Sequence, residues 1–261
     1  MVSHAYRGDG AKQKDIKHLL SPPFGELSYS MSPHIIKHLE GKTEISMRGR
    51  SFNFLAMAVL GISALRNANC DSRIETIVVP ENGYISINPP LTRRRIGSHS
   101  TRTTHPNFLS RLESLLRDTG FHVKFVNPYQ FKTKGEMLAE CVDQDAIRKV
   151  VPLSVSCSHW HREHKQCGHC VPCLIRRASV FYAGFTQDAP YKTKRLKGLI
   201  KEKDTRDDLQ AVQTAIIRLK QTDNYRSWLR MSGPIPQDKH IREKLESTIK
   251  RGLAEVELFL Q

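Results

Sequence analysis

The stretch FHVKFVNPYQFKTKGEMLAE, residues 121 to 140, predicts a short β-strand followed closely by an α-helix. The segment Phe121 to Val126 is rich in β-branched and aromatic residues and stops at Asn127-Pro128, a turn signal. Thr133, with Glu136 three residues later, has the pattern of a capping box, which opens a helix. A strand that leads into a helix is the repeating unit of a parallel α/β sheet.

The same alternation of strand and helix extends upstream. Ile74 to Val79 is a β-branched run that ends at Pro80, which is typical of a buried strand. Asn107 to Asp118 carries leucines at helical spacing, and Ser51 is predicted to cap the apolar helix that follows it. Residues 1 to 185 are therefore predicted to form an α/β domain with a parallel sheet.

Residues 186 to 261 have a different pattern, with two apolar series at helical spacing, Leu209 to Ile217 and Ile241 to Val256. We expect this part to be a helical, basic extension of the first domain. The run Tyr191 to Lys203 holds six lysines and arginines. Such a run is either the solvated face of a helix or a surface for an anionic partner.

The charge balance of the whole chain favours anionic partners. Its 261 residues include 41 Lys and Arg against 26 Asp and Glu, which gives a formal net charge of +15. Nucleotides, nucleic acids and acidic proteins all fit such a surplus. No stretch reaches the roughly 18 to 20 apolar residues of a membrane helix, and the first residues lack the apolar stretch of a signal peptide. We therefore expect a cytoplasmic protein with reduced thiols and no membrane partner.

Four cysteines lie close together in the sequence: Cys157, Cys167, Cys170 and Cys173. Thiolates two residues apart in a turn can reach one metal ion, and four of them satisfy tetrahedral zinc without leaving an open position. The spacing therefore predicts a structural Zn²⁺ site over residues 156 to 174. One alternative is a set of reduced, buried cysteines. Another is a mixed Cys/His site that uses nearby histidines, namely His159, His161, His164 and His169.

The cysteine segment SCSHWHREHKQCGHCVPCLIRRASVFYAG, residues 156 to 184, resembles the zinc region of the 7-cyano-7-deazaguanine synthase (QueC) family. Further blocks resemble the longer QueC-like QatC proteins of Qat anti-phage defence systems. These blocks are MRGRSFNFLAMAVLGISAL (47 to 65), VPENGYISINPPL (79 to 91), GSHSTRTTHP (97 to 106) and NPYQFKTKGEML (127 to 138). With the zinc segment they extend over about residues 3 to 185.

The resemblance implies a Rossmann-like parallel sheet of the ATP-pyrophosphatase (PP-loop) type. It also implies ATP-dependent C–N ligase chemistry: adenylation of a 7-deazaguanine carboxylate, then formation of an amide or a nitrile, with ATP and Mg²⁺ as cofactors. The context implied is antiviral defence, with a protein partner in a defence complex. No catalytic residue can be assigned from the motifs.

The sequence departs from the family at the phosphate loop, a Ser-Gly-Gly-x-Asp-Ser run that is absent here. The domain is accordingly expected to be N-terminally truncated and inactive alone. A second hypothesis is therefore a non-catalytic, zinc-bearing partner or assembly module of a defence complex. A third, prompted by the charge and the CGHC motif, is a nucleic-acid-binding zinc protein, although the sequence has no clear recognition helix.

Three cations are candidates for ATP or phosphate binding. Arg48 and Arg50 stand just before the helix predicted from Ser51, where cations and free N–H groups suit phosphates. Lys134, just before the capping-box helix, matches a lysine of the resembled family. Arg176 and Arg177 follow the last cysteine and are expected mainly to solvate the next helix.

Four residues are candidates for substrate binding. Glu81 and Asn82 follow the first predicted strand, where α/β sheets place their ligand sites, although a plain turn fits equally well. Arg102 and His105 lie in a polar stretch without regular period, which is typical of a binding loop or of an ordinary surface loop.

Overall fold

The computed structural model describes residues 9–20, 48–69, 76–91, 102–160, 164–196, 206–221 and 225–261. Within these ranges the chain is mostly helical and carries one two-stranded parallel sheet. The strands are β1 (Thr76–Val78) and β2 (Lys124–Val126). The helices are α1 (Asp9–Leu20), α2 (Arg48–Asn69), α3 (Gly83–Ile87), α4 (Pro106–Asp118), α5 (Lys134–Ala139), α6 (Gln144–Val150), α7 (Val171–Tyr182), α8 (Arg206–Gln221), α9 (Tyr225–Arg230) and α10 (Lys239–Leu260). Among these, none is both long and apolar enough to cross a membrane.

The two strands are those that the sequence predicted, but each is shorter than expected. Ile77 of β1 pairs with Phe125 of β2 in parallel register. Parallel strands need a crossover connection, and α4 lies in the one between them. The strand–helix–strand alternation is thus confirmed for this unit. A larger parallel sheet is not seen in the described ranges.

A small hydrophobic cluster surrounds the sheet. Ile77 and Phe125 pack with apolar residues of α2 and α4: Leu55, Ile62, Leu109 and Leu112. The α2 helix begins at Arg48, so the prediction that Ser51 caps it was wrong. Ser51 lies inside the first turns of α2, because the apolar spacing that predicted the helix does not define where its backbone starts.

A larger hydrophobic cluster lies between α7 and the C-terminal helices. It also includes residues of α3 and α9. Several of its most buried members lie in α7, α8 and α10: Leu174, Ala178, Val212, Ile249, Leu253 and Val256. This cluster crosses the predicted boundary between residues 185 and 186. The helical extension therefore packs directly on the helix that begins at the cysteine cluster.

Candidate metal centre and adjoining cavity

The four cysteines predicted from their spacing meet at the N-terminal end of α7. Cys170 is the residue that precedes the helix, Cys173 lies in its first turn, and Cys157 and Cys167 come from the preceding loop. All four are buried, and their sulfur atoms lie within 4.8 Å of one another. A group of this kind can hold one metal ion.

The sulfur positions fit tetrahedral zinc. Sγ of Cys167 lies 3.8 Å from Sγ of Cys173, and Sγ of Cys170 lies 4.0 Å from Sγ of Cys157. Zinc–sulfur bonds of about 2.3 Å in a tetrahedron put neighbouring sulfurs about 3.8 Å apart. A disulfide needs about 2.05 Å between its sulfurs. The arrangement is therefore consistent with a structural zinc and not with disulfide pairing.

Backbone N–H groups point at two of the sulfurs. The amides of His159 and Cys167 donate to Sγ of Cys157 at 3.4 and 3.3 Å, and the amide of Cys170 donates to Sγ of Cys167 at 3.4 Å. Hydrogen bonds of this kind stabilise a thiolate, which is the form that binds metal.

Contacts between the sulfurs shift the pKa values of three of the cysteines. The pKa of Cys167 is lowered, chiefly because of side-chain hydrogen bonds with Cys170 and Cys173. The same contact with Cys167 raises the pKa of Cys170 to about 12 and that of Cys173 as well. Four thiols this close cannot all ionise without a cation, so a bound metal ion resolves their mutual repulsion.

Arg177 fixes the cysteine loop against the segment that follows α7. Its guanidinium donates to the carbonyls of Gly168 and Thr193 at 3.1 and 3.2 Å and lies 4.9 Å from the centre of the Tyr191 ring. A backbone bridge joins Gln166 to Tyr191 beside it. Arg177 therefore holds the loop in place rather than solvating a helix face.

Arg176 was expected to solvate the helix as well, and that prediction was wrong. It is 2% exposed. It forms an ion pair with Asp188, at 2.6 Å from Nη2 to Oδ1, and donates to the carbonyls of Ser154 and Val151. A buried charge needs such partners. Asp188 could not be predicted as its partner, because the pair forms only when the chain after α7 turns back.

Two of the four histidines predicted for a mixed Cys/His site lie close to a cysteine of the cluster. His159 and His169 are half-buried and lie with Cys167 in a second close group. His164 is exposed, and His161 lies outside the described residues. Four sulfurs already complete one tetrahedron, so the histidines are not needed as ligands of the ion that the cysteines hold.

The segments after the two strands meet at one edge of the sheet. The Gly83 amide donates to the Lys132 carbonyl at 2.9 Å, which ties the start of α3 to the segment before α5. Glu81 and Lys134 are consequently close enough for their charges to interact. Burial raises the pKa of Glu81, and the charge of Lys134 opposes that shift. Burial lowers the pKa of Lys134, whose Nζ donates to Oγ of Ser156 at 3.2 Å.

Asn82 is buried and caps α3, since its side-chain oxygen accepts from the Ile85 amide at 2.9 Å. Its side-chain nitrogen donates to the Glu81 carboxylate at 3.0 Å. Asn82 therefore holds both the helix start and the orientation of Glu81. These hydrogen bonds are local to the start of the helix, and a role of Asn82 in substrate binding stays a prediction.

A cavity of about 300 Å³ lies next to Glu81. Its apolar wall comes from α3, the following turn and the first turns of α7, and its polar lining includes Thr103 and Thr104. Pro172, which stands between two of the cysteines, also lines it. This volume is at the small end of ligand pockets. The four-cysteine cluster thus fixes one wall of the cavity.

Arg102 and His105 are neighbours in sequence of the two threonines that line the cavity. Each forms a hydrogen bond with a backbone group of the protein itself. His105 is buried and caps α4, with Nδ1 accepting from the Asn107 amide at 3.3 Å. Burial, with the nearby charge of Arg102, lowers the pKa of His105 to about 4. Arg102 donates to the Met231 carbonyl at 3.3 Å. Within the described ranges, His105 Nε2 and Arg102 Nε have no hydrogen-bond partner.

Arg48 and Arg50 form part of the first turn of α2 instead of standing before it. The structure therefore brings together Glu81, Asn82 and Lys134, and places Arg102 and His105 around a neighbouring turn.

Glu255 is a buried carboxyl that the sequence did not single out. It lies on α10 and accepts from the Gly135 amide at 3.2 Å and from the Thr133 hydroxyl, at the start of α5. The sequence signal for its burial is its position beside Val256, within a series of apolar residues at helical spacing.

No protein-family model matches the chain, and neither a curated protein nor a solved structure does.

Proposed function

We propose that this chain is a zinc-stabilised, QueC-like protein whose cavity binds a flat, deazaguanine-type base. One observation supports the proposal above all: a small cavity with Glu81 at its edge adjoins a four-cysteine cluster through Pro172. A guanine-like base presents neighbouring N–H donors on one edge, and a carboxylate is the acceptor that matches them. The apolar wall of the cavity suits the faces of such a base.

The proposal extends to the ligase chemistry of the resembled family. Lys134 lies near Glu81, at the shared edge where both strands end. In an open parallel sheet of the Rossmann-like, PP-loop type, this edge is where ligands bind. An amine there can stabilise phosphate or carboxylate charge. ATP and Mg²⁺, adenylation of the base carboxylate, the defence context and its protein partner are parts of this proposal that rest on the resemblance.

The test is binding of 7-carboxy-7-deazaguanine to the zinc-loaded chain, measured by titration calorimetry with adenine as the comparison base. We expect binding of the deazaguanine that Glu81→Gln weakens by at least about tenfold, the equivalent of about 1.4 kcal/mol. Glu140→Gln is the matched control, because Glu140 forms a surface ion pair with Lys132. Equal binding of both bases, or no effect of Glu81→Gln, would contradict the proposal.

A second candidate is the non-catalytic zinc-bearing module. The observation that favours it is that three of the predicted substrate-binding residues form hydrogen bonds with backbone groups of the protein and thereby stabilise its fold. These residues are Asn82, Arg102 and His105. This candidate predicts a zinc-dependent fold and no base binding, so the same calorimetric titration distinguishes the two.

A further inference from the structure

The histidines beside the cysteine cluster converge on one of its sulfurs. A ligand atom from each of His159, Cys167 and His169 lies within 4.8 Å of the others. The two imidazole rings are 6.4 Å apart between centroids and tilted by 43°. Cys167 therefore belongs to two close groups at once, the four-cysteine cluster and this group of two histidines and one cysteine.

We propose that His159, His169 and the Cys167 thiolate form a second zinc site, so that Cys167 bridges two metal ions. A thiolate sulfur that binds one metal ion still has lone pairs, and it can donate one of these lone pairs to a second, neighbouring metal ion. Imidazole nitrogen together with thiolate sulfur is a ligand set that zinc prefers over the harder divalent cations. This site goes beyond the proposed function and does not depend on base binding.

His169 has a hydrogen-bond partner outside the cluster as well as its side-chain contact with Cys167. Oγ1 of Thr193 lies 3.3 Å from Nδ1 of His169 and fixes the orientation of the ring. Outer hydrogen bonds of this type set the orientation of histidine ligands. The same threonine offers its carbonyl to Arg177, so the partner of the imidazole is itself held firmly.

His159 is held by the first cysteine of the cluster. Its amide donates to Sγ of Cys157, which keeps the histidine at the surface of the cluster. His159 and His169 are half-buried, whereas the four cysteines are buried. The second site therefore lies on the solvent side of the first, and a water molecule can complete its coordination.

Charge favours the second ion. Four thiolates and one divalent cation leave two negative charges in a buried place, which is costly unless they are compensated. A second divalent cation held by two neutral imidazoles cancels them. Among the described residues, Arg177 and Lys134 are two cations whose charges interact with Cys173, and both are engaged in hydrogen bonds of their own.

The test is the metal content of the full chain, made metal-free and reloaded with Zn²⁺ without oxygen, measured by native mass spectrometry. We expect two ions per chain in the wild type and one in the His159→Ala/His169→Ala double variant. His240→Ala, which removes an exposed histidine of α10, is the control and retains two. One ion in the wild type, or a second ion that persists in the double variant, overturns the proposal.

A second measurement uses only the wild-type chain, loaded stepwise with Co²⁺. The second equivalent should change the sulfur-to-cobalt charge-transfer absorption, because Cys167 is a ligand of both ions. A second equivalent that leaves this absorption unchanged is bound elsewhere and refutes the bridging site. One ion per chain would mean that the histidines only hydrogen-bond to the sulfur.

Discussion

Gly168 has a φ of +91° in the turn between Cys167 and Cys170. This conformation is open to glycine and strained for other residues. A Cβ added at this position would lie 2.6 Å from the carbonyl oxygen of Thr193, which is a backbone atom that cannot easily move away. The turn therefore depends on glycine for its conformation and for its space.

We predict that Gly168→Ala destabilises the metal-loaded protein more than Gly120→Ala does. Gly120 also has a positive φ, +79°, but has no atom within 4 Å of the added Cβ. Gly120→Ala should cost about 1–2 kcal/mol from backbone strain alone, and Gly168→Ala should exceed it. Urea unfolding of the zinc-loaded variants measures both. Equal losses would show that the close approach to Thr193 has no effect.

Glu255 is the residue from which we expect a pH dependence of stability. Burial raises its pKa from 4.5 to about 7, against hydrogen bonds from Thr133 and Gly135 that lower it. Of its charged neighbours, Glu136 raises this pKa and Arg251 lowers it. Below pH 4.5 the carboxyl is protonated in both the folded and the unfolded chain. As the pH rises to about 7, the unfolded chain releases this proton first, so the folded state loses stability over that window.

We predict that Glu255→Gln flattens the stability profile between about pH 5 and 7. Each unit of pKa shift corresponds to about 1.4 kcal/mol before solvent screening, so the wild-type loss should be on the order of 2 kcal/mol. Chemical denaturation at both ends of this range gives the two free energies of unfolding. Glu243→Gln, an exposed position on the same helix, should retain the wild-type profile. A profile unchanged in Glu255→Gln would contradict this account.

At the scale of elements, α7 begins without a cap of its own. Cys170 makes no side-chain cap hydrogen bond. Asp208 of α8 replaces that cap, since its Oδ2 accepts from the Val171 amide at 3.1 Å. A carboxylate at a helix start also interacts favourably with the helix dipole. A helix of the C-terminal extension thus completes the helix that carries the cysteines.

We predict that Asp208→Ala lowers the free energy of unfolding by about 1 kcal/mol, the usual cost of losing a cap. Gln210→Ala, at an exposed position of α8, is the control and should change little. Thermal unfolding of the zinc-loaded variants checks this expectation. If Gln210→Ala lowered the free energy of unfolding as much as Asp208→Ala does, the effect would come from α8 itself and not from the cap of α7.

The sequence predicted those elements whose signals lie within a few neighbouring residues. The capping box of Thr133 and Glu136 is confirmed, because both bonds form within one helical turn. The helix from about residue 107 is also confirmed, with its start at Pro106. The cysteine cluster followed from spacing alone. Arg176 with Asp188 could not be predicted, because their pairing depends on how separate elements pack.

At the scale of the whole molecule, the cysteine cluster and the larger hydrophobic cluster share α7. Cys173 lies in the first turn of this helix, and Leu174 and Ala178 on the same helix are fully buried. Removal of a metal ion held by these cysteines should therefore disturb the packing of α8 and α10 and not only the cysteine loop. A structural ion of this type contributes to folding free energy directly.

We predict that a strong chelator, in the presence of reductant, lowers the thermal midpoint of the whole chain. A loss of about 4 kcal/mol would correspond to roughly 8–16 °C for a chain of this size. Cys170→Ser should reproduce the effect, whereas Cys141→Ser should not, because Cys141 is a partly exposed cysteine outside the cluster. Unfolding that is insensitive to the chelator would contradict a structural role for the metal.

The contact of Glu255 with Gly135 also has a consequence for the order in which the chain becomes structured during synthesis. The two residues are 120 positions apart. A ribosome that adds about 5–20 residues per second needs roughly 6–24 s to make the intervening chain. During that interval the start of α5, which includes Lys134, lacks its buried hydrogen-bond partner Glu255, because Glu255 has not yet been synthesised. The cysteine loop can close long before that time, because its first and last cysteines, Cys157 and Cys173, are only 16 positions apart in the sequence.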